Sequence, residues 1–163
     1  MKWIYIQWIL IQYRFFGHAW LCWKLPTLPK FSLYPILKTG GAKLGKQIHF
    51  NQGIFIDNTY GNSNSPNDFS NLEIQDDVYL GANVYLDLSN HILIGKSAVI
   101  SNHCKILTHQ SAGDRELHRI TEKSEPVQIG AHAFLGTDSV ILCGTKVKDG
   151  EIIPAKNVVR SSS

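Results

Sequence analysis

Residues 127–159 read VQIGAHAFLGTDSVILCGTKVKDGEIIPAKNVV, and an aliphatic side chain returns every six positions: Ile129, Leu135, Ile141, Val147, Ile153 and Val159. A period of six fits neither the 3.6 of a helix nor the 2 of a half-buried strand. Going back along the chain, the frame recurs at Ile94, Ile100 and Ile106, at Ile74, Leu80 and Leu86, and begins at Leu44, Phe50 and Ile56. Four residues after most of these aliphatics stands a small or β-branched residue: Val78, Val84, Ala98, Cys104, Ala133, Ser139 and Thr145. Gly81, Gly95, Gly130 and Gly136 directly follow an aliphatic, and glycine tolerates the unusual backbone angles a sharp corner needs.

A fixed short repeat means a solenoid, and hexapeptides mean a parallel β-helix. Each hexapeptide supplies one short strand and one corner, and three close a triangular coil. The aliphatic points into the prism and stacks on its equivalent one coil away. An ordinary β-sandwich would alternate with period two and would not hold this frame. The predicted class is therefore all-β. The frame breaks in three places. Residues 57–71, DNTYGNSNSPNDFSN, form a polar loop with turn chemistry. Two extra residues lie between Leu86 and Ile94. A polar excursion runs from about His109 to Pro126, and long loops on a rigid scaffold are where function is usually placed.

Residues 1–40 follow no such frame and read as a separate N-terminal segment before a β-helix domain over 41–163. Pro26, Pro29 and Pro35 are expected to divide it into a short helix and an extended connector. No Asp or Glu precedes Asp57, whereas Lys2, Arg14, Lys24, Lys30, Lys38, Lys43 and Lys46 do. The net charge of +3 therefore hides a basic head on an acidic remainder. All four tryptophans, Trp3, Trp8, Trp20 and Trp23, lie in this head. A signal peptide would need a cleaner apolar core and a small-residue cleavage site. Three readings stand: a helix packed on protein, an interfacial membrane helix through residues 1–25, and a marginal span. No nucleic-acid module appears, so no nucleic-acid partner is expected. Cys22, Cys104 and Cys143 are odd in number and far apart, which suits a reducing cytoplasm and no disulfide framework.

The order IGKSAVISNHCKILTH (residues 94–109), a loop, then PVQIGAHAFLGTDSVILCGTKVKDGEIIPAKNVV resembles the hexapeptide-repeat acyltransferases, nearest the galactoside and maltose acetyltransferases and bacterial polysaccharide O-acetyltransferases. The resemblance covers about residues 40–160. It implies a left-handed β-helix, a homotrimer with sites between subunits, and acetyl transfer from acetyl-CoA to a saccharide hydroxyl. Such a role belongs to capsule, O-antigen or exopolysaccharide biosynthesis. It makes His109 the catalytic base, Asn83 an acceptor-side residue, and Phe134, Thr137, Ala155, Arg160 and Ser161 the coenzyme contacts. It calls for no metal. A neutral imidazole, with an unperturbed pKa of about 6.5, can accept the proton of a sugar hydroxyl near neutral pH. Phe134 stands where the family often has Trp, and Cys143 where Pro is common.

Three other readings remain open. Gly113-Asp114-Arg115 with His118 loosely matches serine acetyltransferases, with the histidine displaced by two residues. His91, His103, His109 and His132 share one phase of the repeat, as a zinc site of the β-helix carbonic anhydrases would need. The prism could also be a scaffold without catalysis.

Overall fold

The structure, a computed structural model, describes residues 1–60, 66–111 and 122–161. Helix α1 (Lys2–Lys24) bends at Gly17, whose φ of 80° breaks the helical path. A single 3₁₀ turn (Leu25–Thr27) leads to a second helix, α2 (Lys30–Thr39). Among the described residues seventeen short strands then follow: β1 (Lys43–Leu44), β2 (His49–Phe50), β3 (Phe55–Asp57), β4 (Leu72–Ile74), β5 (Tyr79–Leu80), β6 (Tyr85–Asp87), β7 (Ile92–Ile94), β8 (Val99–Ile100), β9 (Lys105–Ile106), β10 (His109–Gln110), β11 (Lys123–Ser124), β12 (Val127–Ile129), β13 (Phe134–Leu135), β14 (Val140–Ile141), β15 (Lys146–Val147), β16 (Ile152–Ile153) and β17 (Val158–Val159).

Fifteen of these strands form three parallel five-stranded sheets, the faces of a triangular prism, and β10 and β11 pair apart from them. The first is β1-β4-β7-β12-β15, the second β2-β5-β8-β13-β16, the third β3-β6-β9-β14-β17. This is the parallel β-helix expected from the repeat, with the left hand that the resemblance implies. Coil-to-coil register pairs like with like: Ile74 with Ile94, Ile94 with Ile129, Ile129 with Val147. Of the twelve aliphatics from Ile74 onward, all are buried except Val159, which is half-buried. Each fully buried one contributes about 1.5–3 kcal/mol relative to exposure.

The corners depart from the sequence reading in one respect. Gly81, Gly95, Gly130 and Gly136 are not in the left-handed region. They are needed because the coils approach closely: a Cβ on Gly136 would lie 2.4 Å from the Ala155 amide nitrogen, and one on Gly81 2.6 Å from that of Asn102. The left-handed corner positions carry glycine at Gly53, Gly144 and Gly150 and polar residues at most of the others. Gln47, Asp77, Ser97 and His132 line the corner between the first and second faces, and Asn83, His103, Asp138 and Lys156 that between the second and third. Asn and Asp accept this backbone more readily than most residues.

The connector is also helical rather than extended. Pro29 serves as the N-cap of α2, and Pro35 sits inside it. The lost backbone bond at Pro35 is outweighed by burial of Leu33, Ile36 and Leu37 against the first coil. On α1, Ile9, Leu21 and Cys22 face the core. Ile4, Trp8, Ile11 and Phe15, spaced as one helical stripe, are 65, 53, 53 and 82% exposed. Among the described residues no helix is long and apolar enough to cross a membrane.

The outward rows differ between faces. The second presents Tyr79, Val99, Phe134 and Ile152 in register. The third presents Phe55 and Tyr85, then Lys105, then Val140 and Val158. The first presents Lys43, Glu73, Leu93, Gln128 and Lys146.

Candidate active site

All three frame breaks fall at one corner, where chain leaves the third face for the first: after β3, after β6 and after β9. They stack on successive coils and bring together Asn58, Asp87 and His109. At β6 the strict alternation fails, and Leu86, Asp87 and Leu88 are buried in a row. The Asp87 carboxylate therefore turns into the corner. Its Oδ2 accepts the backbone N–H of Thr108 (2.9 Å) and of His109 (3.0 Å), and the His109 ring nitrogen Nδ1 at 2.6 Å. Its Oδ1 accepts from the Ser89 amide at 3.0 Å and the Asn58 side chain at 2.9 Å. Thr108, fully buried, donates its hydroxyl to the Asp87 carbonyl and accepts from the Asn90 amide.

Burial pushes the Asp87 carboxyl up, but hydrogen bonds from His109, Ser89 and Asn58, with the histidine's charge, outweigh it and hold it below the ordinary carboxylate value. An ionised carboxylate only accepts. Nδ1 of His109 must therefore carry the hydrogen, and Nε2 presents its lone pair. The His109 side chain is 36% exposed while that of Asp87 is 1% exposed. A buried acid that orients an accessible imidazole and stabilises its protonated form is the arrangement a general base needs. Strands β10 and β11 pair antiparallel, His109 with Ser124, and form the stem of the excursion beside this dyad.

Asn83 lies elsewhere in the same chain. It occupies a left-handed corner between the second and third faces, and its carboxamide donates to His103 Nε2 at 3.0 Å. Thr137 and Ala155 lie on that corner too, both exposed, one coil apart. Phe134 stands on the outer row of the second face, between Val99 and Ile152. Arg160 and Ser161 follow β17, at the exit of the third face. A single chain therefore does not gather the proposed coenzyme contacts around His109. His118, with Gly113–Arg115, lies outside the described residues. The other in-phase histidines are dispersed: His103 beside Asp138 (3.4 Å), His91 beside Glu73 (3.7 Å), His132 on the remaining corner. Among the described residues no three His, Cys, Asp or Glu side chains gather as metal ligands would.

Two residues of the site carry no motif. Asp87 reads in sequence as an ordinary polar residue after an inward aliphatic, and Asn58 as one more loop residue. The only signal was positional, since both sit where the hexapeptide frame breaks.

No protein-family model matches the chain. A protein of Escherichia coli (strain K12) named as a colanic acid biosynthesis acetyltransferase is 26% identical over 127 residues, 78% of this chain and 63% of that protein. The chain thus spans less than two thirds of the length of that relative. Among solved structures, a maltose O-acetyltransferase from Clostridium difficile 630 superposes with a TM-score of 0.67 at 23% identity, covering 85% of this chain and 73% of the other. A hexapeptide-repeat acetyltransferase from Vibrio cholerae gives 0.63 at 16% identity, covering 88% and 83%. The chain has the hexapeptide-repeat β-helix fold of these structures. Within that fold, the stacked breaks of the hexapeptide frame are the feature that distinguishes one corner from the other two.

Proposed function

We propose that the protein is an O-acetyltransferase that moves an acetyl group from acetyl-CoA to a saccharide hydroxyl in the biosynthesis of a cell-surface polysaccharide. The observation that carries this reading is the Asp87–His109 pair, a buried carboxylate on an accessible imidazole at the only corner the frame breaks. The named activities of the relatives agree with it. Nε2 of His109 takes the proton of the acceptor hydroxyl, whose oxygen forms a C–O bond to the thioester carbonyl. The C–S bond then breaks, and the imidazolium returns the proton to the departing thiolate. No acyl-enzyme intermediate is needed. Asp87 supports the imidazolium as it forms.

Phe134, Thr137 and Ala155 are assigned to the pantetheine arm, Arg160 and Ser161 to the phosphates, and Asn83 to the reacting oxygens. Because these residues lie on a different corner from His109, or coils away, the reading requires a homotrimer. The corner between the second and third faces of one subunit meets the His109 corner of its neighbour. The apolar rows on the second and third faces suit such burial, since flat exposed sheet faces otherwise invite aggregation. The enzyme is assigned to the cytoplasm, with peripheral contact to the inner membrane face through residues 1–25.

The test is coenzyme release from acetyl-CoA with a panel of sugars, for wild type and His109→Ala. Turnover with one class of sugar, lost in a variant that still binds coenzyme, is the expected result. Undiminished turnover in His109→Ala would remove the base from this site.

A further inference from the structure

Asn58 is the second residue of the first frame break, and its backbone is left-handed, with φ of 58°. Its carboxamide donates to Asp87 Oδ1 at 2.9 Å and comes within 3.5 Å of His109 Nδ1. The next residue, Thr59, is fully buried. Its hydroxyl lies between His18 Nε2 at 2.8 Å and Cys22 Sγ at 3.2 Å. Both belong to the part of α1 beyond the Gly17 bend. The His18 ring packs on Phe69 with centroids 4.5 Å apart, and the Tyr13 hydroxyl reaches its Nδ1 at 3.3 Å. One peptide unit therefore joins a buried polar clamp on the N-terminal helix to the carboxylate of the dyad.

We infer that Asn58 is a positioning residue for Asp87 and His109, and that α1 sets its orientation by holding Thr59. The inference rests on the reading of His109 as base. Asp87 Oδ2 is occupied by three N–H groups, so Oδ1 is where its rotation is fixed, by Ser89 and Asn58. Removing the Asn58 donor leaves Oδ1 with the Ser89 amide and loosens that rotation. It also leaves the carboxylate charge less dispersed, so the imidazolium is held more tightly and less free base remains near neutral pH. The other ionisable groups here are Asp57, whose Oδ1 accepts the Asn58 amide, and Tyr85, which donates to Asp57 Oδ2. Behind Thr59 stand His18, Cys22, Tyr13 and, acting by charge, Asp68.

The test uses Asn58→Gly, which keeps the left-handed backbone without strain and removes only the side chain. Titration of the His109 ring by long-range ¹H–¹⁵N NMR needs no turnover, and steady-state transfer is measured beside it. The ring titration should move to higher pH by roughly half a unit or more, and kcat at pH 7 should fall about tenfold with the KM for acetyl-CoA unchanged. Thr59→Val should act in the same direction, add nothing in the Asn58→Gly background, and be rescued by Thr59→Ser. An unchanged ring titration in folded Asn58→Gly overturns the positioning role. Full additivity of Thr59→Val overturns the link to α1. A wild type that never transfers acetyl, with the ring shift still present, overturns the acetyltransferase reading alone.

Discussion

Asp87→Asn keeps the shape of the side chain under His109 and removes its charge, so the ring loses both its tautomer bias and the support for its protonated form. We expect kcat to fall roughly 10²- to 10⁴-fold with little change in KM, read from acetyl transfer at saturating acetyl-CoA. The same carboxylate couples stability to pH. Its folded-state value lies below the ordinary one, with burial opposing and the hydrogen bonds prevailing. The stabilisation is therefore fully present above the unfolded value of about 3.9 and is lost as pH falls through the lower folded value. Urea midpoints of wild type and Asp87→Asn should differ at pH 7 and converge towards pH 3; a gap independent of pH would contradict this. His109 was legible in the sequence as a candidate base because the resemblance places a histidine there and it opens a polar excursion from a regular frame. Asp87 was not, because an acid after an inward aliphatic normally faces water, and only the three-dimensional turn of a two-residue slip buries it. Asn83 shows the converse: as a corner residue in the left-handed region it has a structural reason to be Asn whatever its part in the reaction.

Among the elements, the strands were readable nearly residue by residue, since each inward aliphatic declares its coil. The helices were less so. Pro35 argued for an extended connector, yet α2 forms because Leu33, Ile36 and Leu37 gain more by burial than one missing N–H costs. Helix α1 is apolar on both sides, so its periodicity did not reveal which side packs. Its outer stripe, Ile4, Trp8, Ile11 and Phe15, is accompanied by Lys2 and Arg14 and by no acidic residue. Tryptophan favours the headgroup layer and basic side chains favour anionic lipid. Wild type should float with vesicles containing a quarter phosphatidylglycerol at low salt, and the double variant Trp8→Glu/Phe15→Glu should not, with its thermal midpoint kept. Equal flotation of both would place the contact elsewhere.

At the scale of the whole molecule, the assignment of one site to two corners makes the assembly testable without a complex structure. His109→Ala inactivates one corner and Ala155→Trp, by filling the proposed pantetheine path, the other. Subunits of the two variants, unfolded together and refolded as a mixture, should recover a minority of wild-type activity, since some interfaces then pair two intact corners. Mixtures as inactive as their parents would confine the site to one chain or remove Ala155 from it. The triangular prism itself was predictable from the period of six; which corner carries the proposed site was not, because that depends on breaks that align only once the chain is wound. A repeating scaffold offers the same surroundings on every turn, and His103 and His132 show what that yields: imidazoles on regular corners without a buried acid beneath them. The three interruptions stacked at the Asn58–Asp87–His109 corner remove that equivalence. On the proposed reading they convert a translationally symmetric column into one with a single reactive address, so the number of centres per chain would be set by where the symmetry is lost, and not by how many histidines the repeats happen to carry.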